Sequence, residues 1–146
     1  RKKVKEVFAK IIVYFWEGYV KLVGGGTAYL KLTDPGDVLS SGIDIEVQPP
    51  GKKLQSLYLL SGGERALTVI ALLFALLSYS PAPFCILDEI DAALDEANVD
   101  RFARFLTAYA ENTQFIVITH RKGTMEAANV LHGVTMEEAG FSKFLA

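Results

Sequence analysis

An α/β fold follows from three features of the 146-residue sequence. Two short apolar runs, Phe84-Cys85-Ile86-Leu87 and Phe115-Ile116-Val117-Ile118-Thr119, have the length and composition of strands buried on both faces. Between them, Val99, Phe102, Ala103, Leu106 and Tyr109 form one apolar helix face, completing a strand–helix–strand unit of about 30 residues. Upstream, Thr27 to Leu32 and Ile43-Asp44-Ile45-Glu46-Val47 alternate apolar with polar, as half-buried strands do. The expected architecture is parallel buried strands with flanking helices, plus a small antiparallel β region toward the N-terminus.

The elements follow in order. Val4, Phe8, Ile11, Phe15, Tyr19 and Leu22 recur at three- and four-residue spacing, so 1–23 reads as an amphipathic helix. The small β region occupies 24–60, turning at Asp34-Pro35-Gly36 and ending at Pro49-Pro50-Gly51. Ser61 and Glu64 stand at capping-box spacing before a helix that is apolar all round from Ala66 to Leu77, except at Thr68. Such a helix is normally interior, and its apolar stretch falls short of the roughly 20 residues a bilayer requires. Asp95 can cap the next helix, from Glu96 to near Glu111. Val130-Leu131 open a third strand, in which His132 reads as structural. No repeat, low-complexity tract or flexible linker interrupts the chain, so 1–146 reads as one domain, with the motifs described below in 61–146.

Composition narrows the function. Hydrophobic residues make up 51% of the chain, enough for a core with surface left over for a partner to cover, so the chain alone is expected to be sticky or dimeric. A net charge of −2 excludes a generally basic DNA-binding domain, and Lys2-Lys3, Lys52-Lys53 and Arg121-Lys122 read as solvated surface. Cys85 stands alone inside an apolar run, so there is no internal disulfide, and two histidines without clustered cysteines make no zinc site. Arg1 opens a charged amphipathic segment rather than a signal peptide.

Two segments carry chemistry. In Leu60-Ser61-Gly62-Gly63-Glu64, a plain cap does not need Gly62 and Gly63, which weaken a first helical turn. Bare amides at a helix start make sense where an anion must approach the backbone. In Phe84-Cys85-Ile86-Leu87-Asp88-Glu89, two carboxylates end an apolar strand, a costly placement in a dry core without partners. Asp88 suits a Mg²⁺ ligand beside phosphates, and Glu89 a general base that polarises water. His120 ends the next strand. If the two strands are parallel, Asp88, Glu89 and His120 converge at the sheet edge where open α/β sheets bind ligands. A phosphate loop is missing: at Gly51-Lys52, Glu46 replaces the first glycine and Lys53 the hydroxyl residue, and Gly24-Gly25-Gly26 is followed by no lysine.

These residues resemble ABC-type ATPases: Leu60 to Glu64 the signature motif, Asp88-Glu89 the Walker B end, Asp95 the D-loop and His120 the switch histidine. Asp88-Glu89-Ile90-Asp91-Ala92-Ala93-Leu94-Asp95-Glu96-Ala97-Asn98-Val99 and His120-Arg121-Lys122-Gly123-Thr124-Met125-Glu126-Ala127-Ala128 are similar to bacterial structural maintenance of chromosomes (SMC) proteins. ABC transporters usually have Pro-Thr or Pro-Ser where this chain has Ile90-Asp91. Gly24-Gly25-Gly26-Thr27-Ala28, Leu32-Thr33-Asp34-Pro35 and Gln48-Pro49-Pro50-Gly51-Lys52-Lys53-Leu54-Gln55 share the likeness, which covers nearly the whole chain.

The resemblance implies the C-terminal half of a P-loop, ABC-type ATPase head, with helix 1–23 continuing from a coiled-coil arm. Its N-terminal lobe would lie far upstream, across the arms and a hinge, so the isolated chain is expected to be inactive. ATP and Mg²⁺ are the implied cofactors. Asp88 would hold the metal, while Glu89 and His120 are the implied catalytic pair. Ser61, Gly62, Gly63 and Glu64 would bind nucleotide held by a second head, and Asp95 would line that dimer interface. Implied partners are the N-terminal lobe, the second head, a kleisin's C-terminal winged-helix domain, with Phe141 to Ala146 as a candidate contact, and DNA through the assembled complex. No membrane is implied, and the location would be cytoplasmic and nucleoid-associated. Alternatives are the head of another ABC-type DNA-repair ATPase, and a non-catalytic docking module for a kleisin.

Overall fold

The structure is a computed structural model that describes residues 2–145. Arg1 and Ala146, the outer ends of two expected segments, lie outside the described residues. Helix α1 spans Lys2–Val23 and stops at a left-handed Gly24 (φ 84°), with the Gly24 and Gly25 amides both donating to the Val20 carbonyl. Gly26, also at positive φ, brings the chain so close to the end of the second strand that a Cβ there would lie 2.2 Å from the Gln48 carbonyl oxygen. No other residue type fits that approach.

Strand β1 (Thr27–Leu32) pairs antiparallel with β2 (Ile43–Gln48), from Thr27 opposite Gln48 to Leu32 opposite Ile43. A two-residue β3 (Gln55–Ser56) extends this sheet, and a single 3₁₀ turn, Leu57–Leu59, leads into α2 (Gly62–Tyr79). Then come β4 (Phe84–Asp88), α3 (Glu96–Tyr109), β5 (Gln114–Ile118), the short α4 (Lys122–Glu126), β6 (Gly133–Glu138) and β7 (Phe141–Leu145).

The core lies where α1, α2 and α3 meet the inner faces of the sheets. Phe15, Tyr19 and Leu22 of α1, Ile70, Ala71 and Phe74 of α2, and Phe102 of α3 are fully buried together. Gly18 faces α2 and α3, where a Cβ would make only ordinary contacts, 3.7 Å from the Ala71 carbonyl oxygen and 3.8 Å from the Phe105 ring. Phe74 is the hub of an aromatic cluster, with Tyr109, Phe105 and Phe115 rings centred 4.8, 5.0 and 5.5 Å away. The Arg101 guanidinium, 2.7 Å from the Val23 carbonyl oxygen, ties α3 to the end of α1.

By length and composition α2 could cross a membrane, being 18 residues of mean hydropathy 1.4. That length exceeds the purely apolar stretch read from the sequence. Only one face of α2 is interior: Leu67, Thr68, Ile70, Ala71, Phe74 and Ala75 are buried in the core, while Val69 and Leu76 on the other side are about half exposed. The all-round apolar sequence therefore does not make α2 the fully buried helix it predicts.

Strands β4 and β5 run parallel in register, Phe84 opposite Gln114 through Asp88 opposite Ile118. They are not buried on both faces, as their continuous apolar sequence predicts. Phe84 and Ile86 are 55% and 58% exposed, and Ile116 and Ile118 are comparably open. The reason is physical. Among the described residues the sheet has two strands, and the core covers one face, taking in Leu87, Cys85, Phe115 and Val117. The apolar residues of the other face have no cover among the described residues. His132 is a second correction, because it precedes β6 rather than lying within a third strand of this sheet. β6 pairs antiparallel with β7 in a separate hairpin, and the His132 ring stacks on Phe144 with centroids 4.9 Å apart.

Candidate functional site at the strand tips and the α2 N-terminus

Asp88 is the last residue of β4, and its side chain is exposed. Glu89 follows in the left-handed region at φ 47°, the one described non-glycine residue with positive φ. A bulky L-residue there is strained, and such strain persists only where the surroundings hold it. Here the Glu89 amide donates to the Ile118 carbonyl across the sheet at 2.9 Å, and the Ala92 amide donates to the Glu89 carbonyl at 3.1 Å. The turn re-aims the side chain, so Glu89 Oε1 lies 3.5 Å from His120 Nδ1. Both side chains are more than half exposed and face solvent together. Asp88, Glu89 and His120 thus share one edge of the sheet, at the carboxyl ends of parallel strands.

The second corner is the start of α2. Ser61 caps the helix through a complete capping box. Its Oγ accepts from the Glu64 amide and donates to Glu64 Oε2 at 2.9 Å, while the Ser61 amide donates to the same carboxylate at 3.2 Å. Lys52 completes the corner with its Nζ 2.7 Å from Glu64 Oε1. That lysine contact, followed by the bonds from Ser61, holds the Glu64 carboxyl below its ordinary range. Burial pushes the Tyr19 hydroxyl up to about 12, and the charge of Glu64 adds to the effect.

Gly62 and Gly63 are not demanded by the chain's own packing. Neither has positive φ, a Cβ on Gly62 would meet nothing within 4 Å, and one on Gly63 would make an ordinary 3.5 Å contact with the Ala93 carbonyl oxygen. The same contact places the α2 start against the 89–95 loop. Asp95 caps α3, accepting from the Asn98 amide at 2.9 Å, and remains exposed.

Two site residues carry more than their sequence positions show. Asp91 is 1% exposed, and its Oδ2 accepts hydroxyl hydrogen bonds from Thr119 (2.7 Å) and Thr124. The sequence signal is a carboxylate between Ile90 and Ala92-Ala93, an apolar setting that requires distant partners. Lys52 belongs to the capping corner rather than to bulk solvated surface.

Among the described residues no three His, Cys, Asp or Glu side chains cluster to hold a metal. A hard cation such as Mg²⁺ takes one or two protein carboxylates together with water and phosphate oxygens. The exposed strand-tip carboxylate of Asp88 fits that role, and the open amides of Gly62 and Gly63 fit a phosphate.

A family model described as "RecF/RecN/SMC N terminal domain" matches residues 7–143. The chain belongs to the SMC family. It is 61% identical over 145 residues to the chromosome partition protein Smc of Bacillus subtilis and 56% identical to that of Desulfitobacterium hafniense. In both cases 99% of this chain is matched, but it spans only 12% of the relative's length. The fold is that of an SMC ATPase head. A solved structure described in terms of ATP-driven dimerization and DNA-stimulated activation of SMC ATPases superposes with a TM-score of 0.91 at 42% identity. That match covers 99% of this chain and 88% of the other. An Smc head bound to the C-terminal winged-helix domain of ScpA matches at TM-score 0.86 and 44% identity, over 94% of this chain and 42% of that one.

Proposed function

We propose that this chain is the C-terminal lobe of an SMC ATPase head and supplies half of two composite ATP sites. The family description speaks of an N-terminal domain. The lobe assignment rests instead on the signature-like and Walker B-like segments following one another with no lysine-bearing phosphate loop before them. The observation that carries the functional reading is Glu89 held 3.5 Å from His120 at the ends of two parallel strands.

In this reading Glu89 orients a water and takes its proton, while His120 contacts the γ-phosphate. Asp88 would hold Mg²⁺, which when bound would supply neutralisation of the charge on the phosphates. Ser61 and the amides of Gly62 and Gly63 reach a γ-phosphate bound on a second head, Glu64 and Lys52 hold that corner in shape, and Asp95 lines the interface. Hydrolysis then separates the heads and couples the chemistry to chromosome partition, with DNA engaged by the assembled complex. The N-terminal lobe covers the open apolar face of Ile86 and Ile116. The exposed β6–β7 hairpin, with Phe141 and Phe144, is the proposed kleisin contact. The ScpA-bound relative supports a kleisin as partner, and the open aromatic side chains support this hairpin as the place.

Mixing this chain with the separately produced N-terminal lobe and measuring Mg²⁺-dependent ATP hydrolysis tests the proposal. Turnover in the mixture and none in either part is the expected result. Turnover by this chain alone overturns the composite site. A mixture that associates but never hydrolyses favours a docking module.

A further inference from the structure

The 89–95 loop and the 119–124 segment each carry part of the proposed site, and both are fastened to a single buried group. Asp91 Oδ2 takes the hydroxyl hydrogens of Thr119 and Thr124. Thr119 Oγ1 in turn accepts from the Arg121 amide at 2.9 Å, which fixes the turn around His120. From the other side the Arg121 guanidinium donates to the Leu94 carbonyl at 2.8 Å, and the Leu94 amide closes the loop on the Asp91 carbonyl at 3.0 Å. Gly123 lets α4 settle onto α3, since a Cβ there would lie 2.9 Å from Val99 Cγ1.

A nearly solvent-free carboxylate is expensive unless its oxygens are satisfied. A packed apolar residue would fill the same space at lower cost, so two hydroxyl donors converging on one oxygen need a reason beyond stability. The consequence visible in the structure is geometric. Glu89 lies two residues before Asp91, and His120 follows Thr119 directly, so the clamp joins the two backbones that carry the 3.5 Å contact. The strained turn at Glu89 lies two positions before the clamped residue.

We infer that Asp91, clamped by Thr119 and Thr124, is a positioning residue that sets Glu89 against His120 for hydrolysis. It touches neither substrate nor the reacting atoms. The inference rests on the reading of Glu89 as the base. A reacting group displaced by about 1 Å costs on the order of 100-fold in rate, so loosening the clamp lowers kcat while leaving ATP binding in place.

The test uses the complete ATPase with both lobes present. Thr124→Val and Thr119→Val each remove a donor with little change of volume, and Thr124→Ser and Thr119→Ser return the hydroxyl. Steady-state hydrolysis gives kcat and KM, and thermal melting checks folding. The expected result is a fall in kcat of roughly 10- to 100-fold in either valine variant at unchanged KM, restored by the matching serine. Serine variants as slow as the valine variants would assign the effect to methyl packing and overturn the inference. So would valine variants with undiminished kcat beside a dead Glu89→Gln, an outcome that leaves the ATPase reading intact. Normal turnover by Glu89→Gln would instead sink the reading of the base, and the clamp's role with it.

Discussion

The Lys52 ammonium sits 2.7 Å from the Glu64 carboxylate, so the charge that completes the α2 cap is itself held by the turn between β2 and β3. Glu64 also takes the amide and hydroxyl of Ser61. The proposed phosphate-facing serine is therefore tethered through Glu64 to a lysine from another element. An approaching anion would compete with Glu64 for the serine hydroxyl.

This network makes stability depend on acid in a defined direction. The folded-state carboxyl of Glu64 lies below its ordinary value of 4.5, chiefly through Lys52. A depressed carboxyl contributes stability that is complete above the unfolded value and disappears as pH falls through the folded one. Lys52→Met should let the Glu64 value rise, so its melting temperature should fall less steeply than wild type between about pH 5 and pH 3. Melting both proteins across that window checks it; parallel curves would show that Lys52 does not set the carboxyl.

Gly62 and Gly63 offer the clearest separation of folding from function. Neither position needs glycine for its own backbone or packing. Alanine removes conformational freedom from the unfolded chain, so Gly62→Ala and Gly63→Ala should each hold or raise stability, by up to about 1 kcal/mol. In a domain of this size that is about 2–4 °C in Tm. The same changes put a methyl where a phosphate would meet the amides, so ATP-dependent head pairing should weaken. Melting of the chain and sedimentation of the complete ATPase with ATP give the two readings. Unimpaired pairing would show that no anion approaches this corner.

How far these features could be read from sequence depended on their range. The capping box at Ser61 and Glu64 and the Asp95 cap are local, and their spacing alone reveals them. Apolar runs placed β4 and β5, but a run cannot say which face will be covered. Phe84, Ile86, Ile116 and Ile118 stay open because only one side of the two-stranded sheet meets the core. The clamp on Asp91 joins segments far apart in the chain, and the Lys52–Glu64 pair crosses from the β region to α2. Such contacts leave no periodic trace. His132 was misplaced for a related reason: Val130-Leu131 is apolar enough for a strand, but the strand begins at Gly133 and pairs with β7.

The open face of β4 and β5 predicts how the isolated chain behaves. Ile86 is 58% exposed and Ile116 47%, on strands only five residues long. Contiguous apolar surface of this kind marks an interface. Ile86→Glu with Ile116→Glu should reduce self-association of the chain in sedimentation and leave its helical circular dichroism intact. It should also abolish association with the N-terminal lobe. Retained lobe binding would place that interface elsewhere.

Asp95 has a structural duty separable from its proposed place in the interface. Its carboxylate accepts the Asn98 amide at 2.9 Å, and replacing such a cap by alanine costs about 1 kcal/mol. Asn is as good a cap as Asp but carries no charge. Asp95→Ala should lower the Tm of the chain by about 2–4 °C, whereas Asp95→Asn should melt with wild type. If Asp95 lines the two-head interface through its charge, Asp95→Asn should still weaken ATP-dependent pairing. Wild-type pairing in Asp95→Asn would reduce this residue to a helix cap.

The final prediction separates the two halves of the proposed cycle. Glu89→Gln keeps the size of the side chain and the neighbouring Asp88 but removes the proton acceptor. Losing general-base catalysis costs about 100- to 10,000-fold in rate, so turnover should vanish in the complete ATPase while ATP-dependent pairing of heads persists. Ser61→Arg has the opposite signature. It places a long cation at an exposed cap beside Lys52, blocking the approach of a second head without touching Asp88, Glu89 or His120. It should bind ATP normally and fail to pair. Measuring nucleotide affinity, dimerization and hydrolysis for both variants decides the matter. A Glu89→Gln protein that hydrolyses ATP at the normal rate removes the base, and a Ser61→Arg protein that still pairs removes the corner at α2 from the interface.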